Sequence, residues 1–287
     1  TIDDPTQFFN TLLYTGNAAD GSSTTQDITG VGFQPDWVWL KSRTEANHHF
    51  LVDSVRGANK GLYSDLTNSE NTSTNYLKSF ASDGFQVGPD GVVNANSQSY
   101  VSWNWLAGGS TSSNSDGDIT TTVSANTTAG FSIVSYTGTG TAGDSGTHTI
   151  GHGLGSAPKW VIIKQRNSAR NWSVGHDSLT WLKYIYLDVT NASAGGSANN
   201  FWGDTAPSSS VITLIKDSGV NATGNTYIAY CFTPIKGYSK FGSYPGNGNA
   251  DGPFIHTGFK PAWLMIKGFA GTDDWIMMDN KRSGFNS

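Results

Sequence analysis

The sequence predicts an all-β protein, built as tandem antiparallel β-sandwich units of jelly-roll or lectin-like type with long Gly/Ser/Asn-rich loops. Three observations predict it: the composition, an internal repeat, and the residue pattern inside each repeated block. The 287 residues include 35 glycines, 10 tryptophans and 11 tyrosines, and only 14% of them are charged. β-branched and aromatic side chains suit a pleated surface, and Gly and Asn reach the positive φ that turns need.

The repeat is read from three segments: GFQPDWVWLKSR at Gly32–Arg43, GSAPKWVIIKQR at Gly155–Arg166 and GFKPAWLMIK at Gly258–Lys267. The distance from proline to lysine is the same in each, from Pro35 to Lys41, Pro158 to Lys164 and Pro261 to Lys267. Upstream of each proline stands a Tyr-x-Gly turn, at Tyr14, Tyr136 and Tyr244. Downstream, an apolar run ends in an aspartate, at Asp53, Asp177 and Asp279, which are 18, 19 and 18 residues beyond the prolines. The offset between successive units is 123 and then 103 residues, so the loops differ in length.

Each block reads as a strand. Trp37–Leu40 and Trp160–Ile163 are short, aromatic or β-branched, and follow a proline placed where its missing N–H does little harm. Their near-continuous apolar character predicts cover on both faces. Trp37, Trp160 and Trp263 are expected at equivalent positions of superimposable units. The segments Ser82–Trp105 and Lys216–Phe232 both place a VNA turn before a Tyr-led strand, Tyr100–Trp105 and Tyr227–Phe232. Alternation there predicts one buried and one partly solvated face.

These features divide the chain into a β-unit at 1–106, a Gly/Ser/Thr-rich linker or long loop at 107–128, a second β-unit at 129–236 and a third at 237–287. The third unit lacks a Tyr-led closing strand and is expected to be short of roughly 50 residues, since a repeat needs its full set of strands to bury its core. Its exposed edge is expected to be covered by further chain or by a strand from a neighbouring subunit.

Motif tests exclude several chemistries. With a net charge of −5 and no basic run, the electrostatic footprint of a nucleic-acid binder is missing. Cys231 is the lone cysteine, so neither an intrachain disulfide nor a cysteine zinc site can form, and its place in YIAYCF predicts an inert core thiol. No apolar run is long enough to span a bilayer as a helix. His148 and His152 stand four apart, but on a strand that spacing puts them roughly 13 Å apart, too far to share a metal. TGTGTAG and PGNGNADG lack the Gly-Lys-Ser/Thr ending of a phosphate loop, and no G-x-S-x-G elbow occurs. Asp53 with Arg56, and Asp279 with Arg282, form D-x-x-R pairs, read first as a turn that the arginine braces and second as an anion or sugar site. No catalytic residue, metal or cofactor is expected. Four tryptophans outside the repeated strand, Trp172, Trp181, Trp202 and Trp275, are the candidate ligand-binding residues, because an exposed indole stacks on sugar C–H faces.

The stretches GYSKFGSYPGNGNADGPFIHTGFKPAWLMIKGF…WIMMDNKRSGFN and HTIGHGLGSAPKWVIIKQR resemble a repeat domain of unknown function found in tail-fibre and tail-associated virion proteins of marine and freshwater tailed bacteriophages. The opening TIDDPTQFFNTLLYTGN…LVDSVRG resembles an accompanying repeat of those proteins. The resemblance implies a non-enzymatic structural role in the virion tail, in a fibre or other surface appendage involved in host attachment. The partners it implies are further copies, as a trimer or higher assembly, or neighbouring virion proteins, with host surface glycan as a candidate and no nucleic acid or membrane insertion. A lectin-like carbohydrate-binding module is the alternative reading. A glycan depolymerase is weaker, because no carboxylate pair can be set at glycosidase spacing from sequence.

Overall fold

The computed structural model describes residues 2–19, 21–141, 146–196 and 200–282. The chain is almost entirely β, in antiparallel sheets. The first block is a six-stranded sheet in the order β1 (Phe9–Thr15), β9 (Ser99–Trp105), β3 (Trp37–Ser42), β4 (Phe50–Asp53), β5 (Lys60–Tyr63) and β6 (Asn71–Thr72). A three-stranded sheet of β2 (Gln26–Thr29), β8 (Gly84–Val87) and β7 (Leu77–Ala81) forms its second layer, and a single helical turn, α1 (Gly91–Asn94), precedes β9.

The second block has an eight-stranded sheet: β10 (Ser112–Asn114), β11 (Thr121–Asn126), β12 (Phe131–Thr137), β19 (Thr226–Phe232), β14 (Trp160–Gln165), β15 (Ser173–His176), β16 (Lys183–Tyr186) and β17 (Ala194–Gly195). Its second layer is the pair β13 (Thr147–Gly151) and β18 (Val211–Ile215). A terminal hairpin of β20 (Trp263–Lys267) and β21 (Trp275–Asp279) completes the described strands. From β1 to β6 and from β12 to β17, the two large sheets run through the same order of connections. The registers correspond: Trp37 lies opposite Asp53 and Trp105, Trp160 opposite His176 and Phe232, and Trp263 opposite Asp279.

Side-chain alternation sorts the core into three. Val38, Leu40, Phe50 and Val52 face the β2–β8–β7 layer. Val161, Ile163, Ala229 and Cys231 face β13–β18. The opposite faces of both large sheets meet each other, with Trp37, Trp39, Trp103 and Trp105 of the first against Phe131, Trp160, Tyr230 and Phe232 of the second. The large sheets are therefore covered on both sides, which accounts for the uninterrupted apolar runs of β3 and β14.

Two expectations are corrected. The closing strands β9 and β19 do not have a solvated face: every residue from Tyr100 to Trp105 and from Tyr227 to Phe232 is buried. Their second face carries small or hydrogen-bonded residues because it packs under the outer layer, and Asn104 Nδ2 donates to the Asn10 carbonyl and to Ser102 Oγ. Residues 107–128 are not a linker, since they hold β10 and β11, and β11 pairs with β12 along Thr122–Asn126. Ile119, Val123 and the β-branched threonines give that segment enough strand character to extend the sheet.

Candidate functional site

The most elaborate chemistry lies where the first block, the second block and the terminal hairpin meet. At its centre is an aromatic hub. Trp37 stacks on Tyr230 with ring centroids 4.4 Å apart and lies 4.5 Å from Trp105, and Trp263 meets Trp105 edge-on at 5.4 Å. The strand registers bring them together, because each of these rings sits on the inward face of a strand one position in two.

Around the hub, polar groups cross from one segment to the next. Asp53 ends β4 and closes a turn: its Oδ1 accepts from the Arg56 backbone N–H at 2.8 Å, and its Oδ2 accepts from Arg56 Nε at 2.5 Å and from Tyr230 Oη at 2.7 Å. The same guanidinium donates to the Leu51 and Lys60 carbonyls and to Glu70, which also receives Arg166 of the second block through two bonds of 2.9 and 3.0 Å. Burial by itself would push the Arg56 guanidinium down, but the charges of Asp53, Tyr230 and Glu70 leave it raised. For Glu70, burial pushes the carboxyl up and the two arginines more than reverse that, leaving it below the ordinary glutamate value.

The hairpin repeats the arrangement. Asp279 Oδ1 accepts from the Arg282 N–H at 2.8 Å, and its Oδ2 accepts from Arg282 Nε at 2.5 Å and from Trp103 Nε1 at 3.1 Å, with the guanidinium 4.9 Å above the Trp103 ring. Trp103 and Tyr230 hold the same register position in β9 and β19, two residues before the ring opposite Trp37 or Trp160. Both D-x-x-R pairs thus brace their own turn and dock an aromatic donor from another segment.

Two further contacts recur. Trp172 Nε1 donates to the Tyr63 carbonyl at 2.9 Å, and Trp275 Nε1 donates to the Tyr186 carbonyl at 2.9 Å. Lys164 Nζ donates to the carbonyls of Thr67 and Arg170, and Lys267 Nζ to those of Thr190 and Asp273. In both sets the acceptor threonine stands four residues after the acceptor tyrosine, and the local acceptor six residues after the lysine.

Beside the hairpin opens a cleft of about 1240 Å³ whose walls include Trp39, Lys41, His49, Asp65, Trp263 and Trp275. His49 Nδ1 accepts from Trp39 Nε1 at 2.9 Å, its backbone N–H donates to Asp65 Oδ1, and its ring lies parallel to that of Trp103. Burial lowers the His49 imidazole to about 4; Asp65 opposes the shift, while Lys41, Arg282 and His48 add to it. An imidazole that accepts from an indole and stays neutral at pH 7 is an acceptor held in place for packing.

The four tryptophans taken as ligand-binding residues separate here. Trp172, Trp181 and Trp202 are fully buried and cannot stack on an external ring, so that expectation is corrected. Trp181 and Trp202 meet edge-on at 5.4 Å beneath Gly175, where an added Cβ would lie 2.5 to 2.7 Å from their rings. Their loops fold back over the second layer, and the bare glycine makes room for two indoles. Trp275 is half-buried and lines the cleft. His148 shares a contact with Thr139 Oγ1, and His152 is buried between the Ser208 carbonyl and the Leu154 N–H, so the two rings serve different loops. Burial pushes the Cys231 thiol up to about 12, which leaves almost no thiolate at neutral pH. Among the described residues, no group of three His, Cys, Asp or Glu side chains is arranged to hold a metal. Sequence reasoning missed Glu70 and Tyr230 as the link between blocks; Glu70 stands in a polar SENTST loop with no local signal of its burial.

A family model described as a domain of unknown function, DUF7483, matches residues 4–287. No curated protein and no solved structure matches the chain.

Proposed function

For a chain that belongs to the DUF7483 family of domains of unknown function, we propose a non-enzymatic structural role, as a tandem-repeat component of a bacteriophage tail fibre or related surface appendage involved in host attachment. One observation carries the structural part: the polar contacts at the junction occur twice. Asp53 with Tyr230 is matched by Asp279 with Trp103, Trp172 with Tyr63 by Trp275 with Tyr186, and Lys164 with Thr67 by Lys267 with Thr190. These six polar contacts hold one segment against another. The equal strand orders support two copies of one sandwich unit followed by part of a third. The virion location is supported by the resemblance of the repeated segments to tail proteins, and assembly with further copies or neighbouring virion proteins follows from that location.

Electron microscopy of particles labelled with antibody to this chain tests the proposal. Label on the tail or its fibres is the expected result, and particles that lack the chain would overturn it.

A further inference from the structure

We propose that a pocket in the second block, between β15, β16 and the loop that follows β18, binds an acidic sugar residue: a polyhydroxylated ring that carries one carboxylate. The pocket measures about 560 Å³, and Ser173, Tyr184, Tyr186, Phe201 and Gly219 form its inner surface. That volume lies within the usual range for small-ligand sites.

The first block shows the same place packed shut. Three residues after Trp37, Trp160 and Trp263 stand Leu40, Ile163 and Ile266, and opposite them in register lie Phe50, Ser173 and Ile276. Only the second block has a small polar side chain there. Phe50 is fully buried, its ring stands 4.6 Å from that of Tyr76, and it fills the space over Gly61, where a Cβ would lie 2.3 Å from it. The loop before the closing strand differs in the same sense. Asp90 Oδ1 accepts from the N–H of Val92 and Asp217 Oδ1 from that of Gly219, so the side chain that packs on the first core is absent from the second. Both changes remove apolar bulk from one spot. Tyr184, which stands two residues before Tyr186 as Gly61 stands two before Tyr63, does not refill it: its ring lies against Phe201 with centroids 4.2 Å apart and forms a half-exposed wall.

The rim supplies the polar chemistry. Among the described residues, the Arg170 guanidinium and the Lys216 ammonium donate no hydrogen bond and form no ion pair, although both line the opening. Asn171 Nδ2 donates to Asp188 at 2.9 Å, which fixes the amide and leaves its Oδ1 free to accept. Asp217 likewise spends Oδ1 on Gly219 and keeps Oδ2. Aromatic walls take the C–H face of a sugar ring, and the two free acceptors take its hydroxyl protons. Two free cations face one carboxylate at the rim, so the balance favours a ligand with a negative group, which a guanidinium and an ammonium hold by charge-assisted bonds. Inorganic phosphate would meet the cations but leave the aromatic wall unused.

This assignment does not rest on the proposed virion role, since it is read on the purified chain rather than on particles. Isothermal titration calorimetry of the 287-residue chain with tetragalacturonate, maltotetraose and inorganic phosphate tests it. Saturable binding of the acidic oligosaccharide is expected, at least about tenfold tighter than that of the neutral one. Ser173→Phe, which restores the side chain of the first block, should abolish it. The double variant Arg170→Ala/Lys216→Ala loses no internal bond, so it should keep the urea midpoint while affinity falls at least about tenfold; this variant decides the matter if the larger ring disturbs folding. Absence of binding, equal affinity for maltotetraose, full displacement by equimolar phosphate, or unchanged affinity in the double variant would overturn the proposal.

Discussion

At the scale of single residues, the contrast between buried and exposed ion pairs is sharp. Arg56 and Asp53 are fully enclosed, whereas Lys159 and Asp177 form their 2.8 Å pair in solvent. Arg56→Ala leaves the buried Asp53 carboxylate without its cation, while Glu70 keeps Arg166, and is expected to cost about 3–5 kcal/mol; Lys159→Ala should cost less than about 1 kcal/mol. Urea denaturation of both variants at neutral pH measures the difference. The histidines set a pH dependence. Burial holds His49 at about 4 and lowers His152 and His176 as well, all below the ordinary value of 6.5. As pH falls below 6.5, the unfolded chain takes up these protons first, so the stability present above 6.5 is lost progressively toward pH 4. Each histidine contributes a slope of at most about 1.4 kcal/mol per pH unit. Urea midpoints at pH 7, 6 and 5 should fall in order, and His49→Gln should flatten the decline. Trp172, Trp181 and Trp202 show why residue roles were hard to read in sequence: a tryptophan in a polar loop looks the same whether the loop stands in solvent or folds onto the core.

Among the elements, the strands that begin after a proline were legible because local chemistry marks both ends: a turn with Pro35 or Pro158 before, and Lys41 or Lys164 after. The closing strands were misread because Ser102, Asn104, Ala229 and Cys231 supply small or polar side chains where the outer layer leaves little room. A period of two then looks like solvation, although it reflects two cores of different depth. Tyr230→Phe in β19 removes the Oη that donates to Asp53, and should cost about 1–3 kcal/mol by chemical denaturation without changing the fold. The turn between β7 and β8 depends on Gly84, at φ +147°, where a Cβ would lie 1.9 Å from the Ile28 carbonyl oxygen. Gly84→Ala should therefore destabilise by more than about 1 kcal/mol, since both conformation and space oppose the methyl group. Proteolysis of the variant should begin near this turn.

On the scale of the whole molecule, the all-β character was legible from composition and strand pattern, but how the sheets pack was not. No residue pattern states that Trp37 will meet Tyr230, because the partners lie 193 residues apart and are joined only through the sheets that carry them. Because the two large sheets share one core, the first and second blocks should unfold together in a single transition by fluorescence and by circular dichroism. Two separated transitions would contradict the shared core. Truncating a hub residue, as in Trp37→Ala, is expected to cost about 3–5 kcal/mol and to lower the common midpoint rather than split it. The same ring cluster also has an optical consequence. Indoles as close as Trp37, Trp105 and Trp263 couple their electronic transitions, so light absorbed by one is shared among its neighbours. The folded chain should show an exciton couplet in circular dichroism, and Trp105→Phe should abolish much of it while the backbone signal persists. Assembly of the junction can then be followed in real time by a signature that belongs to no single tryptophan.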